Sequence, residues 1–397
     1  MEIYCDSAAT TAIDPEVIEA ILPYLTTNFG NPSSSHWAGR KVREMIDHSR
    51  NTIARLLGVT AEEIFFVSGA TEANNLALSE SIREYELTHA ITSKIEHKAV
   101  LQPLLKRERE GDIEISYVKL DKNGNVDLEH LEHLLDANPQ SLISLMHANN
   151  EIGNITDIEA ISKLAEKYNA VFHTDTTQTI GKVKIDLKEF PVDFLVGSAH
   201  KFHGPKGVGF IYINKKHKLK PQILGGAQEK GQRGGTENVI GIAGLAKALE
   251  ISYRDFDNIH EKTAALKQRL ITQLENSGIP DLGFNGESKS STKSLSSIVN
   301  ISFPCLQSGS LVNNLDTFGI AVSGGSACSN LGNGGSHVIS AIQHDDNKEN
   351  VRFSFSKFNT TEEIDQIVST IAKIYEVDNS NIPEESIAAQ QSFTWVP

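Results

Sequence analysis

This sequence predicts an α/β fold: a mostly parallel central sheet with helices on both faces, and a smaller α+β unit beside it. Three observations carry that expectation. Short β-branched apolar runs alternate with helical patterns between Ile64 and Ile213, the grammar of a parallel sheet covered on both sides. The grammar changes where glycines gather, at Gly225-Gly226 and across Gly231-Gln232-Arg233-Gly234-Gly235-Thr236. Helical sequence through Glu275, two strands split by a glycine-rich stretch, and a closing helix follow. The boundaries expected are 15–256 for the large unit, and 1–14 with 257–397 for the small one.

In chain order, residues 1–14 hold Ser7-Ala8-Ala9-Thr10-Thr11, small side chains suited to lining a site. Asp14-Pro15-Glu16 starts a helix, with Asp as N-cap and Pro in the first turn. After the loop Phe29-Gly30-Asn31-Pro32-Ser33-Ser34, residues Val42, Met45, Ile46, Ile53, Leu56 and Leu57 mark one face of a long amphipathic helix. Strands are expected at 64–67, 90–92, 113–118, 142–146, 171–173, 194–196 and 208–213, with helices between most of them. One such helix runs from Ile158 to Tyr168 behind the cap-like Thr156-Asp157-Ile158-Glu159. In sheets of this kind ligands collect at the carboxyl ends of the strands. Ser288 to Ser297 reads as an exposed loop, and strands are expected at 297–302 and 351–355. Thr360-Thr361-Glu362-Glu363 caps the last helix, whose buried face is Ile364, Ile367, Val368, Ile371 and Ile374. The first dozen residues are expected to pack with this unit.

Composition excludes several classes. No apolar run approaches the ~18 residues of a membrane span. The opening Met1-Glu2-Ile3-Tyr4-Cys5-Asp6 has neither the basic region nor the apolar core of a signal peptide. Three cysteines in 397 residues make no disulfide framework, so a cytoplasmic setting is expected. A formal net charge of −14 disfavours direct contact with nucleic acid or an anionic membrane.

The chemistry concentrates at strand ends. Gly197-Ser198-Ala199-His200-Lys201-Phe202-His203-Gly204-Pro205-Lys206-Gly207 lies between two apolar strands. A lysine there is well placed for a lowered pKa and for attack on a carbonyl, the reading being that Lys201 carries pyridoxal phosphate as a Schiff base. Lys206 is a rival that local chemistry does not exclude. Val67-Ser68-Gly69-Ala70-Thr71-Glu72-Ala73-Asn74, between strand and helix, suits a phosphate at a helix N-terminus or simply a tight turn. Asp175, in His173-Thr174-Asp175-Thr176-Thr177-Gln178, could be a counter-ion for a protonated ring nitrogen, a loop carboxylate, or a metal ligand with His200 and His203. His97 could stack on a ring and move protons, and Asn149-Asn150-Glu151-Ile152-Gly153 lies at the same edge. Cys5 and Cys305 sit among apolar residues and read as structural. Cys328 sits in Ser323-Gly324-Gly325-Ser326-Ala327-Cys328-Ser329-Asn330-Leu331-Gly332-Asn333-Gly334-Gly335, too glycine-rich to pack, which suits a nucleophile that must travel or a chance surface thiol.

Together these motifs resemble the cysteine desulfurases of the NifS/IscS type, within the class V aminotransferases of the fold-type I pyridoxal phosphate enzymes. The resemblance runs from Tyr4-Cys5-Asp6-Ser7-Ala8-Ala9-Thr10-Thr11 to Val351-Arg352-Phe353-Ser354-Phe355 and includes Gly30-Asn31-Pro32-Ser33-Ser34 and Arg233-Gly234-Gly235-Thr236-Glu237-Asn238. It implies an aminotransferase-like large domain and places the cofactor lysine at Lys201. It implies Asp175 on the ring nitrogen, Gln178 on the phenolic oxygen, His97 on the ring, and Ala70, Thr71, Ser198 and His200 on the phosphate. Thr236 would reach the cofactor phosphate of a neighbouring subunit, hence a homodimer. Asn150 would lie on the substrate side, with Asn31 and Arg352 taking the carboxylate of L-cysteine. Lys201 would shuttle the α-proton, and Cys328 would take the sulfur as a persulfide, releasing L-alanine. A sulfur-acceptor protein follows, either an iron–sulfur scaffold or a thiolation relay. No intrinsic metal is implied, although Cys328 could serve as a transient cluster ligand with a scaffold. The chain departs from the family's usual residues at Ser7, at Asn333-Gly334-Gly335, at Lys357 and in the tail Ser392-Phe393-Thr394-Trp395-Val396-Pro397. The alternatives are a selenocysteine lyase or other class V activity, and a cofactor-bound scaffold without turnover.

Overall fold

A computed structural model describes residues 2–324, 336–342 and 348–380. Cys328, the departures at 333–335 and the tail from Ser392 lie outside the described residues.

Every strand expected between Ile64 and Ile213 enters one 7-stranded sheet. Across it the order is Ile64–Val67, Gly209–Ile213, Phe194–Ser198, Val171–Asp175, Leu142–Ser144, His89–Thr92 and Glu114–Tyr117. Gly209–Ile213 runs antiparallel to both neighbours, and every other pairing is parallel. The central strands are buried along their whole length, which is why they read as continuous apolar runs. One face is covered by a core that includes Val42, Ile46 and Ile53 of helix Trp37–Leu57, Leu249 of helix Val239–Arg254, and Phe172 and Phe210 from the sheet. The other packs Leu76 and Ala77 of helix Ala70–Glu84 and Leu104 of helix Lys98–Arg109 on Phe65, Val196 and Ile211.

The local signals work as physical chemistry requires. Asp14 Oδ1 accepts the Glu16 N–H at 2.8 Å and starts helix Pro15–Thr26. Asp157 caps Ile158–Lys167 by accepting the Ala160 N–H at 2.9 Å. Strand limits differ from expectation by a residue or two. The run from Leu142 stops pairing at Ser144, and Met146 gives its N–H to the Glu96 carboxylate at 3.0 Å.

A second, 4-stranded sheet pairs Ile298–Pro304 antiparallel with Lys348–Ser354 and adds Gly283–Phe284 and Ser323–Gly324 at its edges. Its core joins Ile301, Phe303, Val351 and Phe353 to Leu270, Ile364, Ile367 and Ile371, and takes in Ile3 and Cys5. Ile3–Tyr4 pairs parallel with Ile320–Ala321, a ladder too short to leave a pattern in sequence. The strand expected from Val351 begins instead at Lys348. Glu349 is buried there because its carboxylate accepts from Ser310 Oγ (2.6 Å) and the Leu311 N–H (2.5 Å), serving the start of helix Leu311–Thr317. The loop expected from Ser288 to Ser297 is exposed only along its middle: Lys289, Ser291, Thr292 and Lys293 face solvent, whereas Ser288, Ser294, Leu295 and Ser297 are buried. Ser288 Oγ donates to the Asn285 carbonyl at 2.5 Å, and Ser294 Oγ accepts from Lys267 Nζ at 3.0 Å, so these hydroxyls are spent inside.

The glycine-rich stretch after Gly225 is pinned from within. Glu229 accepts from Arg50 Nη1 (2.8 Å), Arg50 Nη2 (2.7 Å) and the Phe66 N–H (2.8 Å), and both side chains of the ion pair are buried. Glu229 and Lys230 hold φ of 45° and 56°, left-handed values that neither residue adopts freely. Glu229→Ala strands a buried guanidinium, so it should cost about 3–5 kcal/mol, read as a lower midpoint in urea unfolding.

Candidate functional site

The carboxyl ends of the parallel strands open on one cavity of about 710 Å³. Lys201, His97, Ala70, Thr71, Asn150, Asp175, Gln178, Ser198, His200 and Arg352 all line it, joined by Lys206.

Lys201 stands in the turn Ala199–Lys201 that follows strand Phe194–Ser198. Its Nζ donates to the carbonyls of Ala8 and Ala9, each at 2.7 Å, so the small residues near the N-terminus do line the site. Burial, with the nearby Arg352 guanidinium, pushes its pKa down to about 8. Lys206 lines the same cavity from an exposed position.

Asp175 ends strand Val171–Asp175. Its Oδ1 accepts the Thr177 N–H at 2.9 Å and its Oδ2 accepts Asn74 Nδ2 at 2.8 Å. Gln178 Nε2 donates to the Ala8 carbonyl at 2.9 Å. Ala70 and Thr71 open helix Ala70–Glu84, where the first N–H groups have no partner within the helix and the dipole is positive. The strand beneath comes very close: a Cβ at Gly209 would lie 2.5 Å from the Gly197 carbonyl oxygen and 2.8 Å from Gly69 Cα. Only glycine permits that approach. His200 Nδ1 lies 3.1 Å from Thr10 Oγ1, and burial pushes its imidazole down to about 4, leaving it neutral.

His97 caps helix Lys98–Arg109, its Nδ1 accepting the Ala99 N–H at 3.0 Å. That bond puts the proton of the neutral ring on Nε2. Desolvation lowers its pKa, so the neutral form is favoured. Arg352, in strand Lys348–Ser354, bridges the two sheets. Its Nη1 donates to the Asn150 carbonyl (2.8 Å) and its Nη2 to Asp6 Oδ1 (2.6 Å). Its Nε is buried with no hydrogen-bond partner. A buried guanidinium with an unspent N–H beside a cavity is a ready receptor for an anion.

Asn31, expected to take the substrate carboxylate, lies elsewhere, and Thr236, expected to serve a neighbouring subunit, stands outside this chain's own cavity. Asn31 is exposed and does not line the cavity; its Oδ1 accepts the Ser33 N–H at 2.9 Å. Thr236 is exposed on a second cavity of about 200 Å³, which shares Ser68 and Gly207 with the first. His203 does not join His200 and Asp175, since its Nδ1 turns to the Ala12 carbonyl at 2.9 Å. No cluster of three potential metal ligands occurs among the described residues. Lys357, one of the departures, pairs with Asp14. Three residues that support the site had no role assigned from sequence: Asp6, Asn74 and Glu96. Glu96 is the most unexpected of them, a fully buried carboxyl whose pKa burial pushes up to about 8.

The cavity fits pyridoxal phosphate by its donor set. It holds a depressed amine for an aldehyde, a carboxylate for a ring nitrogen, a helix N-terminus for a phosphate, and a guanidinium for a substrate carboxylate.

Comparison with known proteins places this geometry. Residues 3–367 match the family described as aminotransferase class-V. A cysteine desulfurase IscS of Dictyoglomus turgidum is 41% identical over 379 residues, which cover 94% of this chain and 95% of that protein. A cysteine desulfurase IscS of Clostridium botulinum is 39% identical over 377 residues, covering 94% of each. Among solved structures, a NifS-like protein superposes with a TM-score of 0.87 at 36% identity, over 95% of this chain and 100% of that one. SspA in complex with cysteine gives a TM-score of 0.77 at 32% identity, over 91% of this chain and 100% of the other.

Proposed function

We infer that this chain, which belongs to the class-V aminotransferase family, is a cysteine desulfurase: it converts L-cysteine to L-alanine and passes the sulfur on as a persulfide of Cys328. The relatives named for that activity cover almost the whole chain. The observation that carries the site assignment is the meeting, in one cavity, of the amine of Lys201, the carboxylate of Asp175 and the guanidinium of Arg352.

Pyridoxal 5'-phosphate, when bound, supplies an electron sink for charge developing at the substrate's α-carbon. Lys201 would hold it covalently, Asp175 would face its ring nitrogen, His97 its ring, and Ala70, Thr71, Ser198 and His200 its phosphate. Gln178 spends one amide N–H on Ala8, and the other is available to a phenolic oxygen. Arg352 would take the substrate carboxylate, its guanidinium braced by Asp6 and by the backbone of Asn150. Lys201, once its amine is free and unprotonated, would remove and return the α-proton. His97 offers its Nε2–H from the cavity wall. The Cys328 thiolate bonds to the substrate sulfur as the Cβ–S bond breaks; the electron pair stays on Cβ, which takes a proton. The net change is L-cysteine plus Cys328–SH giving L-alanine plus Cys328–S–SH.

Thr236 sits outside this cavity and would complete the neighbouring site of a homodimer. The persulfide is handed to an acceptor protein for iron–sulfur cluster assembly or a thiolation pathway. A cytoplasmic setting suits a chain with three cysteines. The test is to supply L-cysteine with pyridoxal phosphate and count L-alanine against sulfur bound to the chain. Equal amounts are expected, and keto acid in place of alanine would overturn the reading.

A pH dependence follows from the depressed amine. Only unprotonated Lys201 attacks an aldehyde, so cofactor uptake by the unloaded chain should rise with pH through about 8 and level off above it. One unit lower, about a tenth of the amines are free and uptake should be roughly tenfold slower. Stopped-flow absorbance would show this. A limb near the ordinary lysine value would mean that the amine is not desolvated.

A further inference from the structure

Asp175 is the last member of a line of buried polar groups that runs back beneath the sheet. Its Oδ2 accepts from Asn74 Nδ2 at 2.8 Å. Asn74 Oδ1 lies 2.9 Å from His173 Nε2, and His173 Nδ1 lies 2.9 Å from Ser144 Oγ. Asn74, His173 and Ser144 have no exposed surface, and Asp175 has 6%. The members come from helix Ala70–Glu84 and from two neighbouring parallel strands, where Ser144 and His173 are direct partners in the ladder.

Hydrogen-bond chemistry gives the line a direction. A carboxylate only accepts, so Asn74 must present its N–H to Asp175 and turn its carbonyl to His173. Nε2 of His173 must then carry the proton. Burial holds this imidazole well below its ordinary range, so it is neutral with one N–H. Nδ1 is left bare, and Ser144 has to be the donor. Each link fixes the next. If the imidazole changed tautomer, the Asn74 amide would be drawn to rotate by half a turn and aim its carbonyl at the carboxylate, replacing an attraction with a repulsion.

We propose that Ser144, His173 and Asn74 form a one-way hydrogen-bond line that fixes the orientation of Asp175 toward the ring nitrogen of the cofactor. The three act as positioning residues and touch neither substrate nor cofactor. The proposal rests on the reading that Lys201 and Asp175 hold pyridoxal phosphate. Asp175 receives two protein donors, the Thr177 N–H and Asn74, and the line secures the second. A pyridine nitrogen facing a misaligned carboxylate would hold its proton less firmly. The cofactor would then bind more weakly, and the pH at which its visible absorbance changes would move.

The test uses the full chain, stripped of cofactor and titrated with pyridoxal phosphate, with absorbance followed against pH and thermal unfolding measured alongside. Asn74→Leu should weaken binding about tenfold, equivalent to about 1.4 kcal/mol, and shift the absorbance midpoint. Ser144→Ala removes one oxygen three links from the cofactor and should produce a smaller shift of the same sign, beyond what its modest drop in thermal midpoint explains. His173→Gln, which keeps an N–H donor, should recover part of the loss. Unaltered affinity and an unaltered pH curve in Ser144→Ala, or losses that follow thermal stability alone, would overturn the line while leaving Lys201 and Asp175 in place. If the unsubstituted chain takes up no cofactor, the underlying reading fails and the line fails with it.

Discussion

Lys201→Ala should yield a folded chain that forms no L-alanine from L-cysteine above background, a loss on the order of 10⁴-fold or more. The effect is large because three tasks fall on one nitrogen: holding the cofactor, yielding to the substrate amine, and moving the α-proton. No neighbour replaces it. Lys206 shares the cavity but is exposed, whereas the Lys201 amine is desolvated and fixed on the carbonyls of Ala8 and Ala9. Removing a side chain held by two backbone carbonyls leaves those acceptors to water in an open cavity, so stability should change little. Borohydride treatment of the loaded chain, then peptide mapping, should fix the cofactor on residue 201, with no tagged peptide in the variant. A tag on Lys206 would move the whole assignment five positions along the same loop.

Much of this site was legible in the sequence because its chemistry sits at strand ends. A buried strand is recognised by its apolar run, and a polar residue at its end has few places to go. That reasoning raises Lys201, Asp175 and His97 as candidates with Lys206 beside them, and only the family resemblance chooses among them. Their supports were not legible. Asn74 is 101 residues from the carboxylate it holds, and Asp6 is 346 from the guanidinium it pairs. Periodicity reports which face of an element is buried and says nothing about which polar groups meet across a core. The same limit explains Glu349, a charged residue read as outside the strand but buried by the helix start that its carboxylate serves. It also explains Ser288 and Ser294, polar by composition and internal by partnership. Thr236 and Asn31 mark a further boundary. One chain does not bring them to its own cavity, which for Thr236 agrees with the neighbouring subunit that the family resemblance implies.

Cys328→Ala should leave cofactor binding and the first spectral response to L-cysteine intact while stopping sulfur transfer, with alanine formation lower by on the order of 10³-fold or more. The step needs a thiolate able to meet the substrate sulfur, and the other cysteines do not qualify. Cys5 has no exposed surface, and burial pushes its thiol up to about 12, so only about one molecule in 10⁵ carries the thiolate near pH 7. Cys305 follows strand Ile298–Pro304 and is not among the residues lining the cavity. Mass analysis after one turnover should therefore find a single added sulfur, on the peptide containing residue 328. Cys5→Ala serves as the control and should keep that adduct, although losing a buried sulfur from the second core will cost some stability. Full alanine production by Cys328→Ala, or a persulfide mapped to Cys305, would show that sulfur leaves by another route. The glycines on either side of Cys328 would then need an explanation other than carrying a sulfur atom out of the site.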